Sequence, residues 1–202
     1  MCGRYRLSRR KQIIEEHFDS ISGEEDWVRR YNNAPTQPVP ITGQNPKEPV
    51  RRLSLVRWGL IPSWAKDLSG PAMMINARSG TAATKPVFRD ALKSRRFLVL
   101  ADGFYEWRRT GKTKQPFCFE VNDGSLFAFA GLWDRWKDPN GTWVKSCSIL
   151  TKSDIEFRIA RRLAKEEKDR ESPKWGRWSS PLERQGDYTD MFSIYESAGV
   201  TG

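Results

Sequence analysis

Cys2 is the residue whose type and position most clearly indicate a reactive group, because it directly follows the initiator methionine. Aminopeptidases remove Met1 when the next side chain is small, and cysteine qualifies. The mature chain would then begin with an α-amine, a group whose pKa is about 7.7–8.0, beside a thiol. The ordinary pKa of a thiol is about 8.5, and a nearby positive charge such as Arg4 lowers it. Such a 1,2-aminothiol condenses with an aldehyde to a Schiff base, which the thiol closes to a thiazolidine. A chain that begins with Cys2 is therefore able to capture an aldehyde covalently without a cofactor.

A second chemistry begins with the same residues. Met-Cys-Gly also opens N-terminal-nucleophile glutaminases, in which the amine is the base for its own thiol. Position 2 alone does not separate aldehyde capture from amide hydrolysis, so both hypotheses stay open. The other cysteines, Cys118 and Cys147, lie in apolar strand patterns and are predicted to be buried packing residues. The single histidine, His17, lies beside the apolar side of a helical segment and is predicted to be structural.

The charge balance indicates the partner. A net charge of +10 over 202 residues favours a polyanion, most commonly a nucleic acid, with an anionic membrane surface as the competitor. The sequence contains no apolar run of about 20 residues, so no membrane span is predicted. Its first residues lack the apolar segment that is typical of a signal peptide. Three cysteines without a CxxC pair favour a reducing, cytoplasmic setting, and one histidine argues against a metal site.

The elements that must position these groups are mostly strands. Ser8 is predicted to cap a helix that runs to about residue 20, and residues 31–50 are predicted to be an ordered loop. Alternating or apolar runs predict strands at residues 53–58, 97–101, 117–121, 126–132 and 142–151. The Asn-Asp-Gly segment between the third and fourth predicts a hairpin, and a capping box at Ser153 predicts a further helix. We expect one α+β domain over residues 1–202, with a mostly antiparallel, barrel-like core and peripheral helices.

Several motifs follow one another between residue 1 and about residue 151. They are MCGRY at 1–5, YNNAPTQ at 31–37, WGLIPSW at 58–64, NARS at 76–79, FR at 88–89, RR at 95–96, ADGFYEW at 101–107, AGLW at 130–133 and SCSILT at 146–151. Together they resemble the SRAP family, the SOS-response-associated peptidases, which are abasic-site processing proteins. The order of independent motifs makes this resemblance far more specific than any one of them.

The resemblance implies a role for four residues. Cys2 would be the crosslinking nucleophile, and the ring-opened sugar of an abasic site in single-stranded DNA would be its aldehyde. Asn76 would hydrogen-bond the N-terminal amine or the sugar, and Arg78 would grip a phosphate beside the lesion. Glu106, between two aromatic residues, would transfer protons during sugar opening and Schiff-base formation. A further group is expected to contact phosphates or stack on bases: Arg4, Arg89, Arg95, Arg96, Trp58 and Trp64.

The sequence departs from the family pattern after residue 151. The family has a histidine in a His-x-Arg-Met-Pro segment soon after the SCSILT strand, where it assists proton transfer, whereas residues 152–202 hold no histidine. This departure predicts impaired crosslink formation, crosslink reversal or peptidase activity.

Three hypotheses follow from these observations. The first is an enzyme that forms a thiazolidine with an abasic site through Cys2, with a peptidase activity that serves self-processing. The second is an N-terminal-nucleophile amidohydrolase, and the third is a non-catalytic binder of single-stranded DNA. For the first we expect a monomer associated with the cytoplasmic nucleoid, with single-stranded DNA as partner and with no cofactor, metal or membrane contact.

Overall fold

The structure is a computed structural model that describes residues 3–23, 28–44, 50–68, 74–121 and 124–152. Over these ranges the elements are, in chain order, β1 (Arg4–Leu7), α1 (Lys11–Phe18), β2 (Ser20–Ser22), β3 (Arg30–Asn33), β4 (Pro38–Gln44), β5 (Arg51–Trp58), β6 (Asn76–Arg78), α2 (Ser79–Ala82), α3 (Pro86–Ser94), β7 (Arg96–Ala101), β8 (Gly103–Thr110), β9 (Thr113–Phe119), β10 (Phe127–Lys137) and β11 (Trp143–Thr151). No helix among these residues is long and apolar enough to cross a bilayer.

Five strands close into a barrel. Antiparallel pairs join β5, β4, β7, β10 and β11 in that order, and β11 returns to β5 through the parallel pairs Ser146–Arg57 and Cys147–Trp58. Strand β2 extends the sheet beyond β5, and β6 runs parallel to the end of β11. A second sheet has four strands in the order β3-β1-β8-β9. The expected α+β fold with a mostly antiparallel, barrel-like core is confirmed.

Aromatic side chains pack the four-stranded sheet onto the barrel. The Tyr5 ring meets the rings of Trp58 and Phe129 edge to face, with centroids 5.3 and 6.1 Å apart. Phe104 on β8 meets Phe129 in the same way at 5.9 Å. Edge-to-face contacts of this kind add stability beyond the apolar area they bury. The two sheets therefore share one core, and β1 is held directly against the barrel.

Gly131 on β10 marks the closest approach inside the barrel. A Cβ at this position would lie 2.8 Å from the Phe97 ring and 3.1 Å from Val99, closer than side chains pack. We expect Gly131→Ala to lower the free energy of unfolding by about 1–3 kcal/mol, because overpacking forces the barrel wall to shift. Urea denaturation measures this loss. Gly80→Ala is the matched control, since an added Cβ there meets nothing within 4 Å; an equal loss in both variants would contradict the packing argument.

The predicted loop over residues 31–50 is wrong, because the segment contains most of β3 and all of β4. Strand β4 was hidden in the sequence by Pro38 and Pro40, which cannot donate a backbone hydrogen bond. Both prolines pair with β5, but the pairing of β4 with β7 covers only Ile41 and Thr42, beyond the prolines. A proline-containing strand fits here because its first half needs hydrogen bonds on one side only.

Two further local predictions are wrong. Ser8 does not cap the first helix, which begins at Lys11, because its hydroxyl donates to Asp102 instead. The predicted hairpin between residues 117–121 and 126–132 is also not formed by the described strands. Strand β9 pairs with β8 across a two-residue turn at Gly111, whose φ is +60°, while β10 pairs with β7 and β11. The strands predicted at 53–58, 97–101 and 142–151 are confirmed as parts of β5, β7 and β11, and the helix predicted from Ser153 lies outside the described residues.

Candidate functional site

The first strand begins beside the predicted catalytic carboxylate. β1 pairs antiparallel with β8, so that Arg4 lies opposite Tyr105 and Tyr5 opposite Phe104. Glu106 is the next residue along β8 and is half-buried. Cys2 lies outside the described residues, and Gly3 is the first residue that the structure describes. An added Cβ on Gly3 would meet no atom within 4 Å, so the backbone here borders open space.

Glu106 lies on the face of β8 that is turned towards the barrel. Side chains alternate between the two faces of a strand, which places Phe104 and Glu106 on one face and Tyr105 on the other. Phe104 packs in the core against Phe119, with ring centroids 5.3 Å apart. The carboxylate of Glu106 therefore stands at the margin of the shared core, one step beyond its aromatic residues.

A buried ion-pair network fastens β1 to β8. The carboxylate of Asp102 is fully buried, and it accepts hydrogen bonds from Arg6 Nε and from the backbone N–H and hydroxyl of Ser8, each at 2.7 Å. Nη1 of Arg6 also lies 2.6 Å from Oε1 of Glu120. Burial alone lowers the pKa of Arg6, but the hydrogen bonds and charges of Asp102 and Glu120 outweigh it and raise that pKa. Arg6 is therefore charged at every physiological pH, and the network fixes the position of β1.

Sequence reasoning did not single out this network. Arg6 and Asp102 are 96 positions apart, and only the fold brings them together. The one sign in the sequence is an acid directly after the apolar run at residues 97–101, which is an unusual place for a charge. A buried carboxylate of this kind needs a cationic partner, but the sequence does not say which of its many arginines supplies it.

The other two cysteines do not offer competing thiolates. Burial raises the pKa of Cys147 to about 12, and that side chain is fully buried as predicted. Cys118 is half-buried opposite Tyr105, and burial again raises the pKa of its thiol. Because the thiolate is the reactive form, both thiols are poor nucleophiles near neutral pH. His17 is exposed on α1, with its ring edge to face against Phe18.

Asn76 and Arg78 lie on one face of β6. This strand pairs with the end of β11, with Asn76 opposite Ile149 and Arg78 opposite Thr151. Ala77 between them is buried, so the two polar side chains point away from it. Asn76 is half-buried and Arg78 is exposed, immediately before α2. This arrangement places the Asn76 amide near the core and the Arg78 guanidinium at the surface of the protein.

Trp58 links these two parts of the candidate site. Its ring packs against Tyr5, and its Nε1 donates a hydrogen bond of 3.0 Å to the carbonyl of Ile75, the residue before Asn76. Trp58 is 0% exposed, so no nucleic-acid base reaches its ring. The prediction that Trp58 stacks on bases is therefore wrong. Through Tyr5 and Ile75 it instead brings the start of β1 and the start of β6 to the same core cluster.

Trp64 is presented to solvent by a loop that is fixed on both sides. The backbone N–H of Ser63 donates to Oδ2 of Asp134 at 3.1 Å, and Nε1 of Trp136 donates to the carbonyl of Ala65 at 2.6 Å. The Trp64 side chain between these anchors is 65% exposed. The exposed ring of Trp64 is therefore accessible to a stacking partner.

The predicted phosphate contacts fall into two groups. Arg95 is half-buried, and its Nε donates to the carbonyl of Trp133 at 3.2 Å and lies 3.5 Å from Asp134. It joins the end of α3 to β10, a structural function that sequence reasoning missed. The remaining guanidinium groups reach the surface, on β1, α3 and β7 respectively: Arg4, Arg89 and Arg96.

These features define a class of protein, a basic β-barrel whose first strand is locked beside a half-buried carboxylate. The chain belongs to the SRAP family, because the model of that family, SOS response associated peptidase, matches residues 1–162. The match continues past Thr151, where the recognisable motifs end.

The relatives in this family carry a common description. Abasic site processing protein YoqW of Bacillus subtilis (strain 168) is 39% identical over 200 residues, covering 93% of this chain and 84% of the relative. Abasic site processing protein YoaM of the same organism is 40% identical over 163 residues, covering 78% and 70%. A solved structure from Bacteroides thetaiotaomicron has a TM-score of 0.66 at 26% identity, covering 75% of this chain and 68% of that one. The coverage by YoqW includes a large share of the segment after Lys152.

Proposed function

We propose that this protein captures abasic sites in single-stranded DNA by a covalent bond to Cys2, after removal of Met1. The names of its relatives, abasic site processing proteins, supply the substrate class. The net charge of +10 favours a nucleic acid as partner.

The observation that carries the proposal is the pairing of β1 with β8. It places Arg4 opposite Tyr105, one residue from Glu106, and the Asp102 network holds β1 in that position. Only Gly3 separates Cys2 from Arg4, so covalent geometry keeps the two Cα atoms within about 7 Å of each other. An aldehyde held beside Glu106 is thus within reach of the N-terminal residue.

The proposed reaction needs no oxidant, reductant or cofactor. The neutral α-amine of Cys2 adds to the aldehyde carbon of the ring-opened sugar, and loss of one water gives the Schiff base. The thiol sulfur then adds to the same carbon, and its proton passes to the nitrogen, which closes the thiazolidine ring. Glu106 is proposed to move protons in the sugar-opening and dehydration steps. The peptidase activity in the family description would be self-processing that exposes Cys2.

The remaining residues are proposed to bind the DNA around the lesion. Asn76 hydrogen-bonds the amine or the sugar from the margin of the core, and Arg78 forks around an adjacent phosphate. The surface-reaching groups on neighbouring elements extend this contact by phosphate binding and stacking. They are Arg4, Arg89, Arg96 and Trp64. We expect the protein to act as a monomer that is associated with the nucleoid in the cytoplasm.

A denaturing gel with a single-stranded oligonucleotide that carries one abasic site tests the proposal. We expect a heat-stable shifted band from the wild type, no band from Cys2→Ala, and a full band from the matched control Cys118→Ser. An undamaged oligonucleotide of the same sequence should give no band. A Cys2→Ala variant that crosslinks as the wild type does would contradict the proposed nucleophile.

A second candidate function is non-covalent binding of single-stranded DNA. It is favoured by one observation, the absence from residues 152–202 of the histidine that the family uses for proton transfer. The same experiment separates the two functions. Salt-sensitive binding of the abasic oligonucleotide without any covalent band, from protein that begins with Cys2, would support the second candidate.

A further inference from the structure

The β10–β11 hairpin exposes a cationic and aromatic face near the turn that joins its two strands. Trp143 is 57% exposed, with the Arg135 guanidinium 5.1 Å and the Lys137 ammonium 5.8 Å from its ring centroid. Lys145 lies on the same face, 5.9 Å from the ring centroid of Trp133. We call the exposed set of Arg135, Lys137, Trp143 and Lys145 the hairpin face.

The strand register concentrates like charges on this face. Arg135 lies directly opposite Lys145, and Lys137 directly opposite Trp143. Like charges at directly opposite positions destabilise a sheet, so this pairing costs stability in the isolated protein. None of the three cations forms an ion pair with a carboxylate within the part of the chain that the structure describes. The hairpin face therefore has positive charge that an anionic partner would neutralise.

We propose that the hairpin face binds a segment of single-stranded nucleic acid, with its cations on phosphates and Trp143 against a base. Positively charged grooves with exposed aromatic rings are the usual means of holding such strands without sequence preference. An anionic membrane is less well matched. The turn that precedes Trp143, Asp138 to Thr142, is polar and carries an acid, so it offers no apolar tip for insertion.

The hairpin face is distinct from the residues proposed to bind the DNA around the abasic lesion. Trp143 begins β11, and Thr151 at its other end pairs with Arg78. Eight residue steps along a strand separate the two ends by about 26 Å. A strand of DNA bound at both places would therefore extend well beyond the lesion. Undamaged strands would also bind here, without any covalent chemistry at Cys2.

Fluorescence anisotropy with an undamaged 20-nucleotide oligothymidylate tests this inference. The variant Arg135→Gln/Lys137→Gln/Lys145→Gln should bind about tenfold or more weakly, and the slope of log K against log salt should fall by about 2, as expected for three lost phosphate contacts. Trp143→Ala alone should weaken binding about tenfold through lost stacking. The triple variant removes a repulsive pair together with three cation–π contacts to Trp143 and Trp133, and a melting curve checks that it is folded.

The matched control removes the same charge elsewhere. Arg29→Gln/Lys66→Gln/Lys93→Gln changes three exposed cations to which no DNA contact is assigned. We expect a smaller loss of affinity from this control than from the hairpin variant. Equal affinities and equal salt slopes for the two triple variants would overturn the proposal. So would a hairpin variant that loses only its binding to phosphatidylserine–phosphatidylcholine vesicles, because the occupant would then be a membrane.

Discussion

Glu106→Gln is expected to slow crosslinking to an abasic oligonucleotide by about 100- to 10,000-fold, the usual contribution of a positioned acid or base. Glutamine has nearly the same shape but cannot take up or release a proton. Glu106 stands at the margin of the shared core, on the face of β8 that also carries Phe104. A loss of this size would identify proton transfer, rather than packing, as its contribution.

The measurement is the single-turnover rate of band formation on a denaturing gel, at saturating protein. Glu16→Gln, which makes the same change of charge on the exposed side of α1, should react at the wild-type rate. Binding of undamaged single-stranded DNA should be similar in both variants and the wild type. A Glu106→Gln variant that crosslinks at full rate would show that another group moves the protons.

Asp102→Ala is expected to lower the free energy of unfolding by about 3–5 kcal/mol, as when one partner of a buried ion pair is removed. The carboxylate holds Arg6 and both donors of Ser8 at 2.7 Å. Its loss leaves Glu120 as the carboxylate that still pairs with Arg6 among the described residues, and it leaves the Ser8 N–H without its acceptor. Since these bonds hold β1 against β8, we also expect the folded fraction of the variant to crosslink more slowly.

Urea denaturation measures the loss of stability. Asp90→Ala is the control, because Asp90 pairs with Arg89 at 3.3 Å on the surface, where such a pair contributes about 0–1 kcal/mol. Asp102→Asn keeps the shape and one acceptor, and its stability should lie between those of the wild type and Asp102→Ala. Equal stability of Asp90→Ala and Asp102→Ala would contradict a stabilising function of the buried ion-pair network.

Much of the barrel was predictable from the sequence, because several of its strands are apolar runs or alternate between apolar and polar residues. The apolar run at residues 97–101 and the alternation at residues 53–58 correspond to β7 and β5. The sequence did not predict β4, because Pro38 and Pro40 are typical of a loop. It also predicted that the strands on either side of the Asn-Asp-Gly segment pair with each other, whereas β9 and β10 belong to different sheets. Neither outcome follows from local pattern, because both depend on which distant strand occupies each edge.

The site was predictable in its residue types but not in its supports. Motif order was enough to single out Asn76, Arg78 and Glu106, whose functions remain proposals. The burial of Trp58 and its bond to Ile75 were not predictable, since a tryptophan in a motif fits a core as well as a binding surface. Ion pairs between residues about a hundred positions apart, such as Arg6 with Asp102, become visible only when the fold is known.

The intact mass of the wild-type protein after reaction with an abasic oligonucleotide tests the covalent capture most directly. We predict a product that lacks Met1 and weighs one water less than the sum of its parts. Alkylation of the denatured product should label only two of the three cysteines, because a thiazolidine consumes the thiol of Cys2 while a Schiff base leaves it free. No covalent product, from protein that begins with Cys2 and binds the oligonucleotide, would contradict the account.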